Sequence, residues 1–185
     1  PNVALVRTHT VDAQIPDSAG TMSAIMTGHK TRSGVISVKP KYAKGDCKSV
    51  FEDLPRTLFE HASEAGFSTG VVTNSRVTDA TPAATYGHSP DRMWENDSKT
   101  PEFALKQGCG DLASQIAKQT IVQQIDKGAS LKKAIEEAHA EILKEGRDSE
   151  VKKGMGTTIV AAGKEGGKFH LAWVGDSRIY TYQKE

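Results

Sequence analysis

The stretch VDAQIPDSAGTMSAIMTGHK, residues 11–30, decides how this chain is read. Pro16 and Asp17 lead into Ser18-Ala19-Gly20-Thr21, and Met22 to Thr27 continue as a helix-compatible run that stops at Gly28. Ser18 is therefore expected at a helix start, where free backbone N–H groups and the positive end of the helix dipole favour a phosphate or an ionised oxygen. Each such term is worth about 0.3–1 kcal/mol when exposed. That does not make a serine nucleophilic, since its hydroxyl needs a base or a metal ion to take the proton. A serine that only caps the helix satisfies the same residues equally well.

Outward from this stretch the texture changes along the chain. Thr57 to Ala65 reads as a short helix with Leu58, Phe59 and Ala62 on one side, ended by Gly66, and Phe67 to Thr73 reads as a following strand. A helix-then-strand step belongs to an open α/β sheet. Pro82 to Lys99 has little periodicity and reads as a long surface loop, a common place for function. Beyond about residue 110, Leu112, Ile116, Ile121 and Ile125 form a helical stripe stopped by Gly128. A second stripe of Leu131, Ile135, Ala138 and Ile142 follows a Ser130 cap. Thr157 to Ala162 and Phe169 to Val174 are expected as strands joined through Gly163 to Gly167, with Arg178 to Tyr182 as a third.

The bulk numbers exclude several classes. At 185 residues and 37% apolar content the chain can build a core, as one domain or two small ones. With 24 basic against 23 acidic side chains, no global field draws it to nucleic acid or to an anionic membrane. No run approaches the roughly 20 apolar residues of a membrane helix, and no secretory leader opens the chain. The opening at Pro1 suggests that the natural amino terminus is missing. Cys47 and Cys109 permit one disulfide or two unrelated thiols, and lack zinc-knuckle spacing.

Residues 11–30, and the chain around them to about Gln115, closely resemble the nucleophile region of the alkaline phosphatase family. The match continues in order through Lys30-Thr31 and Gly34-Val35, EAGFSTGVVTNSRVT (64–78), DATPAATYGHSPDR (79–92) and LKQGCGDLASQ (105–115). The resemblance implies a phosphate monoester hydrolase in which Ser18 is phosphorylated during turnover, Arg92 grips the phosphate and Asp17 orients the Arg92 guanidinium. Arginine suits that task because its planar fork donates two parallel hydrogen bonds to phosphate. Asp79 and Thr81 match the part of the family motif that reaches a Mg²⁺ site, and hard cations prefer such oxygen donors. Two residues apart on an extended strand, the two would face the same way. The plainer readings are a solvated loop arginine at 92 and a Pro82 turn shaped by Asp79 and Thr81.

The family also draws Zn²⁺ ligands from an early Asp and from later Asp and His motifs that this chain lacks. His9, His29, His61, His88, His139 and His170 stand alone without metal-ligand spacing and read as surface or loop histidines. The resemblance further implies a periplasmic or extracellular location.

After about Ile116 the resemblance changes. Gly154-Met155-Gly156-Thr157-Thr158 and Ala172-Trp173-Val174-Gly175-Asp176-Ser177-Arg178 are similar to the middle of the PPM-type metal-dependent serine/threonine protein phosphatases. That resemblance implies attack by a metal-bound water and places Asp176 at an accessory Mn²⁺ or Mg²⁺ position. Gly175-Asp176-Ser177 is equally a β-turn between strands. The expected fold is thus α/β: an incomplete alkaline-phosphatase-like sheet segment over residues 1–115, followed by a partial α+β PPM-like segment over 116–185. Two truncated folds meeting in one chain suggest a fragment or chimera whose exposed strand edges favour homo-oligomer formation. The competing functional readings are a phosphoserine phosphatase, a PPM-type protein phosphatase and a noncatalytic fragment that only binds phosphate or protein.

Overall fold

The computed structural model describes residues 7–50, 52–147, 159–165 and 168–174. The chain divides into two compact units, Pro1–Leu112 and Ala113–Glu185. In the first, α1 (Ser18–Thr27) forms where the sequence places it. Asp17, not Ser18, is its N-cap, accepting from the Gly20 amide, and Gly28 ends it at φ 72°. That left-handed conformation carries no Cβ penalty for glycine. α2 (Leu58–Glu64) starts with a reciprocal capping box: the Glu60 amide donates to Thr57 Oγ1 and the Thr57 amide to the Glu60 carboxylate. α3 (Ala80–Tyr86) is capped by Asp79, and α4 (Glu102–Lys106) follows, with short 3-10 turns at Cys47–Val50 and Asp97–Lys99.

α1 lies against α3, and small residues allow it: Ala19, Gly20 and Ser23 are buried on one helix, Ala80, Ala83 and Ala84 on the other. On another side of α1, a Cβ at Gly20 would collide with the Thr10 methyl. Buried hydrogen bonds fasten this layer to the chain at Ser37. The Ser37 amide donates to Ser23 Oγ at 2.7 Å, its hydroxyl donates to the Ala84 carbonyl at 3.1 Å, and its carbonyl meets His88 Nδ1 at 2.6 Å. Beside it Val35, Val38 and Tyr42 cluster with Leu54. A separate cluster holds Trp94, Ala104 and the two cysteines, which form a Cys47–Cys109 disulfide, so the alternative of two free thiols is closed.

The second unit contains α5 (from Leu112 to Asp126) and α6 (Leu131–Arg147), whose facing stripes join Ile121 with Ala134, Ile135 and Ala138. Ser130 Oγ accepts from the Lys133 amide at 3.4 Å, where the cap is expected. β1 (Ile159–Glu165) and β2 (Lys168–Val174) form an antiparallel hairpin in which Glu165 pairs with Lys168. β1 therefore runs through Gly163 and Lys164, which the sequence reading assigns to the connection. A single glycine weakens a strand without ending it when its neighbours are paired.

The expected α/β sheet fold is not formed. Among the described residues the first unit is helical, with only an isolated bridge between Ile36 and Ser89, and the only sheet is the two-stranded β1–β2 hairpin. Phe67 to Thr73 has no strand assignment, and Phe67 and Val72 are exposed. A pattern of apolar and β-branched residues becomes a strand only where a neighbour completes its ladder, and no described segment does so. The surface-loop reading of residues 82–99 is also overturned. Residues 82–86 belong to α3, and Ser89, Pro90, Trp94, Glu95 and Asn96 are buried. Alanine, threonine and proline there fit a helix packed closely against α1, which gives little periodic signal. The α2 pattern fails differently: the helix forms but buries none of its residues, and Leu58 is exposed.

Candidate active site

The backbone brings three separated segments to one place. Ser18 is the first residue of α1, so its amide belongs to the turn that has no intrahelical acceptor. Arg92 reaches it from the turn after Ser89, where its amide donates to the Gly34 carbonyl at 2.8 Å. Arg92 Nη1 donates to Ser18 Oγ at 3.0 Å and to Asp17 Oδ2 at 3.2 Å, and Nη2 donates to Asp79 Oδ1 at 3.2 Å. A guanidinium held at both ends by carboxylates has a fixed plane, and its third contact is the serine oxygen.

Asp17 is itself anchored. Oδ1 accepts from the Gly20 amide and Oδ2 from the Gly34 amide, each at 3.0 Å. Burial alone would raise its pKa, but these two amides and the Arg92 charge outweigh it and hold the carboxyl below its ordinary 3.8. Asp17 therefore stays ionised opposite Arg92 at neutral pH.

Asp79 does not lie on an extended strand with Thr81, as the spacing argument supposes. It is the N-cap of α3, with Oδ1 accepting from the Ala80 amide at 2.8 Å, and Thr81 is the second residue of that helix and exposed. A helix rotates successive side chains by about 100°, so the period-two argument for a shared direction does not apply. Among the described residues, no group of three or more His, Cys, Asp or Glu side chains is placed to hold a metal ion. Asp176 and the GMGTT motif lie outside the described residues.

Two features escape the sequence reading. His88 lies in the loop after α3, as one of the expected readings has it, but it is buried and not on the surface, with Nδ1 on the Ser37 carbonyl and Nε2 3.2 Å from Glu60 Oε1. Arg76 and Glu95 form a bidentate pair next to Asp79, with Arg76 Nε and Nη2 donating to the two carboxylate oxygens at 2.6 and 3.0 Å. The signal for Arg76 is its position three residues before Asp79. Glu95, 16 residues beyond Asp79, gives none.

The family model for alkaline phosphatase matches residues 1–150. The human tissue-nonspecific isozyme of alkaline phosphatase is 41% identical over 116 residues, covering 63% of this chain and 22% of that protein. Alkaline phosphatase 4 of Drosophila melanogaster is 45% identical over 101 residues, covering 55% and 16%. Among solved structures, alkaline phosphatase from the Antarctic bacterium TAB5 aligns with a TM-score of 0.46 at 24% identity, over 64% of this chain and 28% of that one. A histidine-to-glutamate mutant of the TAB5 enzyme, with Mg bound in its M3 site, aligns with a TM-score of 0.48 at 20% identity, over 75% and 36%. The chain thus spans about a fifth of the length of the curated relatives.

Proposed function

The chain belongs to the alkaline phosphatase family, and on that premise we propose that it carries the nucleophile side of a phosphate monoester hydrolase. The observation that carries this is the three-way hold on Arg92, which leaves its fork against Ser18 Oγ at 3.0 Å. A phosphate there accepts from Arg92 and faces the start of α1, where the dipole favours negative charge. Ser18 Oγ attacks phosphorus as the ester P–O bond breaks, and the proton lost from the serine hydroxyl ends on the departing alcohol. Water then attacks the phosphoserine, releasing inorganic phosphate and returning a proton to Ser18 Oγ. Arg92 binds and orients the phosphoryl oxygens, and Asp17 keeps Arg92 aimed.

The family uses Zn²⁺ and Mg²⁺, whose chemistry would be activation of the serine oxygen and stabilisation of the leaving one. The described residues do not fit a complete site for either ion. Asp79 and Thr81 are hard donors suited to a share of a Mg²⁺ shell. Yet Asp79 Oδ1 is engaged by Arg92 and by its own helix cap, and no third acidic or histidine ligand joins them among the described residues.

On the same reading Asp79 and Thr81 would lend oxygens to magnesium, and residues 1–115 and 116–185 would act as separate functional segments. The PPM-type reading gains no support from the family match, which runs past residue 115 to 150. The Cys47–Cys109 disulfide supports an oxidising compartment, periplasmic or extracellular. No helix among the described residues is long and apolar enough to cross a membrane.

Hydrolysis of an aryl phosphate at alkaline pH with Zn²⁺ and Mg²⁺, compared with Ser18→Ala, tests this reading. Activity lost in the variant, with phosphate trapped on Ser18, is the expected result. Activity surviving the substitution would favour a water-attack phosphatase, and none in either chain would leave the noncatalytic reading.

A further inference from the structure

The Arg76–Glu95 pair stands behind the site without touching Ser18. Glu95 is 3% exposed, and its carboxylate is saturated. Oε2 accepts from Arg76 Nε at 2.6 Å and Thr78 Oγ1 at 3.1 Å, while Oε1 accepts from Arg76 Nη2 at 3.0 Å and Lys99 Nζ at 3.2 Å. A buried carboxylate with all its partners in place fixes the plane of the guanidinium it holds. The same Arg76 Nη2 lies 4.0 Å from Asp79 Oδ1, the oxygen that accepts from Arg92 Nη2 at 3.2 Å. Two guanidinium groups therefore flank one carboxylate oxygen. A backbone bond from the Asp79 amide to the Arg76 carbonyl, at 2.9 Å, closes the turn between them.

The geometry points to Arg76, locked by Glu95, as a positioning residue that sets Asp79 and through it the Arg92 fork against Ser18. The inference rests on the reading of Arg92 as the phosphate-binding group. The Ala80 amide already holds Asp79 Oδ1 at 2.8 Å, and Arg76 adds a charged restraint beside the same oxygen. With a second, immobile cation beside it, the carboxylate has one preferred place, and Arg92 Nη2 inherits that place. Lys99 has no such reach in the structure, since its ammonium is bonded to Glu95 Oε1. The charges close locally: Arg76, Arg92 and Lys99 balance Asp17, Asp79 and Glu95.

The test uses the full 185-residue chain with Arg76→Lys, which keeps the charge and can pair with Glu95 or Asp79 but not span both. Glu95→Gln is the second variant, acting one step further from the site. Folding is followed by thermal melting, the Arg92 guanidinium by its slowly exchanging Nη–H signals in ¹⁵N NMR, and binding by titration with inorganic phosphate. The expected result is a folded Arg76→Lys chain whose Arg92 signals are broadened and whose phosphate affinity is roughly tenfold weaker, the size of one charge-assisted hydrogen bond. Unchanged Arg92 signals in folded Arg76→Lys overturn the inference. So does loss of folding in that variant, which would assign the pair to fold support. If the unaltered chain binds no phosphate but Arg76→Lys still frees Arg92, the positioning role stands and the phosphate reading fails.

Discussion

Asp17 shows how much one residue decides at this site. Its two oxygens meet the Gly20 amide, the Gly34 amide and Arg92, so one side chain starts α1, fixes a turn and orients a guanidinium. These roles separate by substitution. Asp17→Ala removes the cap and should lower stability by about 1–2 kcal/mol, read as a fall in urea midpoint. Asp17→Asn retains a good cap residue while losing the charge on Arg92, so it should lose less stability than alanine yet bind phosphate as poorly. Equal unfolding midpoints for the two variants would mean that the cap contributes nothing. At this scale Ser18, Asp17, Asp79 and Arg92 are picked out in the sequence through the family motif they match. Glu95 is not legible, because nothing in its neighbours indicates that the chain folds back to bring Arg76 onto it.

At the scale of elements, α1 and α3 approach closely only because their facing residues are small. Alanine at Gly20 would gain about 1 kcal/mol of helix propensity. Overpacking costs about 1–3 kcal/mol, and here the clash is with the methyl of a buried, hydrogen-bonded threonine. Gly20→Ala should therefore lower the melting temperature. Adding Thr10→Ser, which removes that methyl, should recover part of the loss; a double variant no more stable than Gly20→Ala would show that the Thr10 methyl is not what excludes a side chain at position 20. α1 and α6 were legible because each has a start signal and α6 a strong apolar stripe. α3 was not, because a helix made of Ala, Thr and Pro buried on most sides has no polar face to set a period.

Across the molecule, burial and partners act together on the acidic groups. Asp17, Glu60 and Glu95 are each pushed up by burial, yet hydrogen bonds and opposite charges outweigh this and hold all three below their ordinary values. Each folded-state carboxyl thus binds fewer protons than its unfolded counterpart at mildly acid pH. The stability these groups contribute is present in full above the unfolded values, 3.8 for Asp and 4.5 for Glu, and is lost as pH falls through the lower folded ones. A urea midpoint flat from neutral pH to about 5 and falling steeply below about 4 is expected. A midpoint that rises on acidification would contradict these assignments. The sequence by itself located α1, α2, α5 and α6 and marked the family, because caps, glycines and ordered motifs act over a few residues. Tertiary structure alone decided that, among the described residues, Phe67 to Thr73 forms no strand, that residues 82–90 and 94–96 are buried and that Cys47 bonds Cys109. It also decided that Arg76 and Glu95 stand behind Asp79, since each of these depends on which distant segment the chain brings alongside.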